Sequence, residues 1–239
     1  MRLPYGLELT ESCRSCTIRA DGFFCNLAAP ALKAFEAIKY TTAYPEGAVL
    51  FGEGQDPRGV FVICKGRVKL SMTSSEGKTL ILRIASPGEI LGLNATVASK
   101  PYELTAETLY PCQVNFVKRE DFLRFLREQG EACMHAAEQL SHNYHTACEQ
   151  IRTLGLAHSV PEKLARLLLE WSEEGEETKQ GIRLKLALTH EEIAQIIGTS
   201  RETVTRALGD FKSKQFATLK GSTLLIQNKT ALESYVGES

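Results

Sequence analysis

Leu188-Thr189-His190-Glu191-Glu192-Ile193-Ala194-Gln195-Ile196-Ile197-Gly198-Thr199-Ser200-Arg201-Glu202-Thr203-Val204-Thr205-Arg206 reads as two short helices joined by a tight turn. Thr189 and Glu192 have the spacing of a capping box at the start of the first helix, and Thr199 and Glu202 have the spacing for a second. Ile193, Ala194 and Ile197 form the apolar stripe of the first helix; Val204, Leu208 and Phe211 form that of the second. Gly198 stands where the chain must bend. The second stripe leaves out Arg201, Glu202, Thr205 and Arg206, which share one ridge near the helix start. Such a ridge suits the major groove of DNA, where arginine pairs with guanine and glutamate accepts from cytosine. An ordinary helical hairpin with a solvated charged face explains the ridge but not its conjunction with two capping signals and a glycine turn.

Working outward, Ala217–Ile226 reads as a hairpin directly after the second helix, a winged arrangement that puts Lys220 within reach of phosphate. Ser200–Lys220 holds five cations (Arg201, Arg206, Lys212, Lys214, Lys220) against two anions (Glu202, Asp210), a local excess of three. The whole chain has a net charge of −1, so the case for phosphate contact is local. Upstream, Val160–Trp171 is amphipathic, Ser172–Gln180 is acidic and loop-like, and Ala132–Leu154 is a long helix with apolar and small residues at three- and four-residue steps. That helix either lies on its own domain or forms a two-stranded seam, and a two-fold DNA site favours the seam.

Residues 44–116 have a different texture. Short β-rich runs at Ala48–Phe51, Val60–Cys64, Val68–Met72, Leu80–Ile84 and Cys112–Phe116 alternate with glycine turns, as in a sandwich or jelly-roll barrel. A short helix is expected around Pro30–Ile38 and another at Asp121–Arg127. The 239 residues suffice for two modest domains, and 43% apolar with 24% charged residues is a globular composition. No apolar run reaches membrane-spanning length and no secretory pattern opens the chain, so a cytoplasmic protein without a membrane partner is expected. No nucleophile–base set, nucleotide-binding glycine loop or carboxylate pair has the context for catalysis, so an enzyme is not expected.

The seven cysteines are odd in number, which argues against a disulfide framework in such a chain. Cys13, Cys16 and Cys25 cluster in a polar N-terminal stretch and call for a chemical reason. Cys64, Cys133 and Cys148 fall in strand or helix stripes and read as packing residues. His142 and His145, at helical spacing without an accompanying acid or cysteine set, read as a solvated face.

Barrel, long helix and winged helix–turn–helix in that order resemble the cyclic AMP receptor protein/fumarate-nitrate reduction regulator (CRP/FNR) superfamily of bacterial transcription factors. The resemblance covers nearly the whole chain and is sharpest over Thr199–Arg206. It implies an α+β chain with a cysteine-rich arm (1–28), a jelly-roll sensor domain of the cyclic-nucleotide-binding type (29–118), a dimerisation helix (119–156) and a winged helix–turn–helix domain (157–239). It also implies base reading by Arg201, Glu202 and Arg206, with Thr189, Ser200 and Thr203 at phosphate-contacting positions. The implied partners are a second copy of the chain, RNA polymerase and palindromic double-stranded DNA with GTGA- or TTGAT-like half-sites.

In cyclic-AMP-binding members a Gly-Glu segment is followed by an Arg-Ser pair that anchors the phosphate. Gly88-Glu89-Ile90-Leu91-Gly92 resembles the first part, but Lys100-Pro101-Tyr102-Glu103-Leu104-Thr105-Ala106 lacks the pair, so cyclic AMP is not the expected ligand. The oxygen-sensing branch carries a 4Fe-4S cluster on three N-terminal cysteines and one from the barrel. The resemblance places these at Cys13, Cys16, Cys25 and Cys112, with an eight-residue second gap longer than that branch usually has. Zinc, a thiol–disulfide switch, a simply buried Cys112 and a metabolite-holding barrel with incidental cysteines stay open beside the cluster.

Overall fold

The structure is a computed structural model, described here for residues 4–16, 25–156, 159–186 and 188–237. The chain divides into two compact units, Met1–Thr146 and Ala147–Ser239. The division falls inside the long helix.

In the first unit α1 (Ala29–Ile38) leads into β1 (Lys39–Tyr44), β2 (Val49–Phe51), β3 (Gly59–Lys65), β4 (Val68–Thr73), β5 (Thr79–Ala85) and β6 (Ile90–Leu91). Then come α2 (Leu93–Ala98), β7 (Thr105–Thr108), β8 (Cys112–Lys118), α3 (Arg119–Glu128) and α4 (Gly130–Leu156). The strands form two antiparallel four-stranded sheets, β1-β8-β3-β6 and β2-β7-β4-β5. The five β-rich runs of the sequence are all strands, while β1, β6, β7 and α2 are additions, mostly short or polar.

Strand β3 shows why its sequence, Gly-Val-Phe-Val-Ile-Cys-Lys, is an unbroken apolar run. Successive side chains point to opposite faces, and both faces are covered. Phe61 and Ile63 join Phe51, Val68, Leu70, Tyr102, Cys112 and Val114 inside the barrel. Val60 and Val62 point outward into a second core with Leu32 and Phe35 of α1, Phe122 and Phe125 of α3, and Ala132 and Ala136 of α4. Strand β8 splits the same way. Cys112, Val114 and Phe116 face the interior, and Val117 faces the outer core.

The second unit contains α5 (Val160–Ser172), β9 (Glu176–Thr178), β10 (Gly181–Lys185), α6 (His190–Ile197), α7 (Arg201–Ser213), β11 (Ala217–Lys220), β12 (Thr223–Ile226) and α8 (Lys229–Gly237). Its sheet order is β11-β12-β10-β9, so the expected hairpin is half of a four-stranded sheet. The acidic stretch expected as loop supplies β9, because Glu176–Thr178 pairs with Gly181–Arg183 across a tight turn. Ser159 caps α5 by accepting from the Glu162 amide, with Pro161 in the first turn, where a missing N–H costs nothing.

Candidate nucleic-acid interface and cysteine site

Local chemistry fixes the position of the reading helix. Thr189 Oγ1 accepts from the Glu192 amide at 3.1 Å and the Glu192 carboxylate accepts from the Thr189 amide at 2.9 Å, completing the capping box of α6. Gly198 ends α6 with φ 68°, so the turn favours glycine for its left-handed backbone, and a Cβ there would press on Leu154 Cδ2 at 3.0 Å. The second capping box is not formed between Thr199 and Glu202. Ser200 is the cap, accepting from the Thr203 amide at 3.3 Å, because the chain leaves the glycine turn one residue later than the sequence suggests. Val204, Ala207, Leu208 and Phe211 are buried, and Arg201, Glu202, Thr205 and Arg206 are exposed together on the opposite side.

The exposed edge carries its own order. Thr205 Oγ1 donates its single proton to the Arg201 carbonyl at 2.9 Å, so the 2.9 Å contact with His190 Nδ1 requires that ring nitrogen to be the donor. His190 thereby ties the first turn of α6 to the reading helix, a role its place in the sequence gave no sign of. The Glu202 carboxyl lies below the usual carboxylate range, held there by its own backbone amide, then the Ser200 hydroxyl and the Arg201 charge. It remains an ionised, acceptor-only group, suited to a cytosine amino donor.

Ser200 and Thr203 hydroxyls lie 3.0 Å apart. With the Ser200 proton directed to Glu202, the Thr203 hydroxyl is the donor between them. Thr189 is exposed at the start of α6 but spends its hydroxyl proton on Glu192 at 3.0 Å. Lys220 stands exposed at the end of β11, beside the Gly221 turn of the wing. Lys214, counted in the local charge excess, lies over the rings of Phe216 and Tyr235 at 5.9 and 5.5 Å and serves packing as well as charge.

The N-terminal cysteines lie on the outer face of the β1-β8-β3-β6 sheet. Thr10 and Gln113 exchange two hydrogen bonds, amide to Oε1 at 2.8 Å and Nε2 to carbonyl at 2.6 Å. Glu36 of α1 accepts from the Cys13 amide at 2.7 Å and the Ser12 hydroxyl at 3.0 Å, with Arg14 3.5 Å away. Lys39 Nζ donates to the Glu11 carbonyl at 2.6 Å and Thr41 Oγ1 at 3.1 Å. Cys13, Cys16 and Cys25 are half-buried. Burial pushes the Cys25 thiol up to about 12, with Cys13 and Cys16 adding to the rise; burial also raises Cys13, against the opposing Lys39 charge.

The fourth expected ligand lies elsewhere. Cys112 is fully buried on the interior face of β8, where its thiol donates to the carbonyls of Tyr110 and Arg67 at 3.2 and 3.4 Å. A Cβ on Gly66 would come within 2.4 Å of its sulfur. Burial raises its pKa. Cys64, read from the sequence as a packing residue, lies at the register shift between Ile63 and Lys65 of β3, and its sulfur accepts from Asn115 Nδ2 at 3.0 Å on the side of β8 where the arm docks. Burial pushes it up to about 12, with further rises from Cys25, Cys13 and Cys16. The outer face thus gathers Cys13, Cys16, Cys25 and Cys64. Among the described residues no three His, Cys, Asp or Glu side chains stand close enough to hold a metal ion, so these thiols form a shared patch and not a closed shell.

The barrel interior is largely filled by rings. Phe51 stacks on Tyr102 at 4.1 Å, and Phe61 meets Phe51 at 5.4 Å and Phe116 at 4.9 Å. A cavity of about 240 Å³ remains, lined mainly by Tyr44, Phe51, Arg58, Phe61, Tyr102 and Phe116. Glu89 is bound to the Arg83 guanidinium and the Ser86 amide, and Tyr102 donates to the Gly59 carbonyl at 2.8 Å.

Among the described residues no helix is long and apolar enough to cross a membrane. Residues 41–129 match the cyclic nucleotide-binding domain family, and residues 162–235 match the Crp-like helix-turn-helix domain family. The chain is 26% identical over 212 residues to a CRP-like cAMP-activated global transcriptional regulator of Mycobacterium tuberculosis, covering 88% of this chain and 94% of that protein. It is 27% identical over 196 residues to the anaerobic regulatory protein of Bacillus subtilis, covering 81% and 82%. Among solved structures, FixK2 from Bradyrhizobium japonicum has the same fold, with a TM-score of 0.73 at 20% identity over 83% of this chain and 97% of that one. With a cyclic-nucleotide-binding barrel, a Crp-like reading domain and relatives aligned along most of its length, the chain belongs to the CRP/FNR family of DNA-binding transcription regulators.

Proposed function

We propose that the protein is a homodimeric, sequence-specific regulator that responds to oxygen, redox state or nitric oxide through a 4Fe-4S cluster on its N-terminal cysteines. The observation that carries the sensory part is the thiol patch, docked by hydrogen bonds onto the barrel. A cluster, when bound, supplies a tie between arm and barrel that oxidants remove. The residues provide a path from that tie to the long helix. Leu27, two residues after Cys25, is buried in one core with Ala132 and Ala136 of α4, and the Glu131 carboxylate accepts from the Ala28 amide at 2.9 Å.

The dimer reading is supported by a second stripe on α4. Met134, Ala137, Ser141, Tyr144, Cys148, Ile151 and Gly155 repeat at alternating steps of three and four. Met134, Tyr144 and Ile151 are 61%, 75% and 70% exposed. Exposed large side chains at heptad spacing, on a helix whose other face is buried at Ala132, Ala136 and Gln139, are what a second copy would cover. Each of the two readings of this helix thus has its own face.

A dimer of this kind presents two α7 helices to a palindrome, with TGA-containing half-sites of the GTGA or TTGAT type, and RNA polymerase is the partner through which binding would act. Cyclic AMP is not the effector proposed: the Arg-Ser pair that would anchor its phosphate is absent from Lys100–Ala106, and Glu89 and Tyr102 are engaged by internal partners. The test is protein purified without oxygen, assayed for iron, sulfide and DNA affinity before and after air. Iron and sulfide lost together with DNA affinity is the expected result. Oxygen-free protein without iron or sulfide, or an affinity indifferent to their loss, contradicts the sensory reading and leaves DNA binding standing.

A further inference from the structure

We infer that the fourth thiol of the metal centre is Cys64 on β3, and that Cys112 is a structural residue of the barrel interior. This rests on the reading above that the N-terminal cysteines hold a metal centre, and it corrects which barrel residue completes the set. The argument is one of faces. Side chains alternate across a strand, so residues of one parity on β8 cannot reach what residues of the other parity touch. The arm docks on Gln113, and Asn115 follows it on the same face. Cys112 has the parity of Val114 and Phe116, which line the interior. Bringing its sulfur to the arm would mean inverting the start of β8, whose register with β1 runs unbroken from Tyr44↔Cys112 to Lys39↔Val117. Cys64 stands where the β3–β8 register shifts between Ile63 and Lys65, so its face is fixed by contact and not by counting: its sulfur meets Asn115, on the arm's side of β8, and Val60 and Val62 before it share their core with Cys13 and Cys25.

The surroundings of the two sulfurs point the same way. Asn115 Nδ2 donates to Cys64 Sγ at 3.0 Å, and its Oδ1 is fixed by the Thr41 hydroxyl at 2.7 Å. Thr41 in turn accepts from Lys39, whose charge faces both Cys13 and Cys64. An amide donor held in place by a second hydrogen bond, with a cation behind it, is the outer shell that a metal-bound thiolate uses. Both sulfurs meet backbone carbonyls, Cys64 that of Val62 at 3.8 Å and Cys112 those of Tyr110 and Arg67 at 3.2 and 3.4 Å, but among the described residues Cys64 alone of the two also accepts from an N–H donor, which favours a thiolate.

The experiment compares full-length wild type, Cys64→Ser and Cys112→Ser. Each is reconstituted without oxygen from ferrous iron and sulfide, and each is separately titrated with cobalt(II), which reports thiolate ligation whether or not a cluster forms. A serine at 112 keeps a donor for the Arg67 and Tyr110 carbonyls; near-ultraviolet circular dichroism verifies the fold, and Cys112→Ala replaces it if that signal is lost. Wild type and Cys112→Ser are expected to retain equal iron and sulfide, and Cys64→Ser to lose most of both. In the cobalt titration the thiolate charge-transfer intensity of Cys64→Ser should fall by about a quarter or more, one of four sulfurs being gone. Loss in Cys112→Ser with retention in Cys64→Ser overturns the assignment, and so does equal retention in both. If wild type binds cobalt through four thiolates but takes up no iron and sulfide, the cluster reading fails and the cobalt intensities alone decide between Cys64 and Cys112. Wild type that binds neither defeats both inferences.

Discussion

Arg201→Ala separates reading from folding. Arg201 is exposed and is the first residue of α7, so its cation sits at the positive end of the helix dipole. Removing it should leave stability unchanged or raise it by up to about 0.5 kcal/mol. Against cognate DNA the same change removes a guanine contact worth about 1–3 kcal/mol, a loss of roughly 5- to 150-fold in affinity. The assay is fluorescence anisotropy on a cognate duplex and on duplexes altered at one base pair of each half-site, with thermal melting as control. The variant should lose its discrimination at one guanine, binding the altered duplex about as well as wild type does. A uniform loss on every duplex would show that Arg201 contacts phosphate. A lowered melting temperature would show that the edge serves the fold. Either result refutes the reasoning from exposure and helix position.

Lys220→Ala should weaken binding to all sequences alike and lower the salt slope of log K by about 0.9, measured by titration at several salt concentrations. Tyr144→Glu places a charge in the middle of the exposed α4 stripe and should cost about 2 kcal/mol or more of dimer stability, roughly 30-fold, read by sedimentation equilibrium. An unchanged dimer would move the seam elsewhere. Arm docking should depend on pH through Glu36. Burial alone would raise its carboxyl, but the Ser12 hydroxyl, the Cys13 amide and Arg14 together hold it below the usual range. A depressed folded-state pKa gives stability that is present above the unfolded value, about 4.3, and lost as pH falls through the folded one. Arm protection, measured by amide exchange or protease nicking, should therefore hold above that value and fall in acid, with Glu36→Gln showing the loss already at neutral pH.

The reading domain was legible in the sequence because its signals are local. A capping box, a glycine turn and a 3.6-residue apolar period act within a few residues of one another, and α6 and α7 lie where they place them. The one-residue slip from Thr199 to Ser200 reflects the extra residue that the left-handed Gly198 turn needs. The bond from His190 to Thr205 joins two helices and has no local signal. The cysteine site was only partly legible. Strand β3 is apolar on both faces, so Val60–Cys64 gives no periodic hint of which face Cys64 takes. Strand β8 did hold a hint: Gln113 and Asn115 alternate with Cys112, Val114 and Phe116, which groups Cys112 with the apolar set. The resemblance to the oxygen-sensing branch weighed against that alternation, and in this structure the alternation prevails.

The central claim is that the Arg201/Glu202/Arg206 edge reads base pairs and is presented twice by a symmetric pair of subunits. Selection of the purified protein on an unbiased oligonucleotide library tests it most directly. Enrichment of an inverted repeat with TGA-containing halves, centred about one helical turn apart, roughly 34 Å, is the expected result. Enrichment of no repeat, or of a single half-site without symmetry, would contradict it.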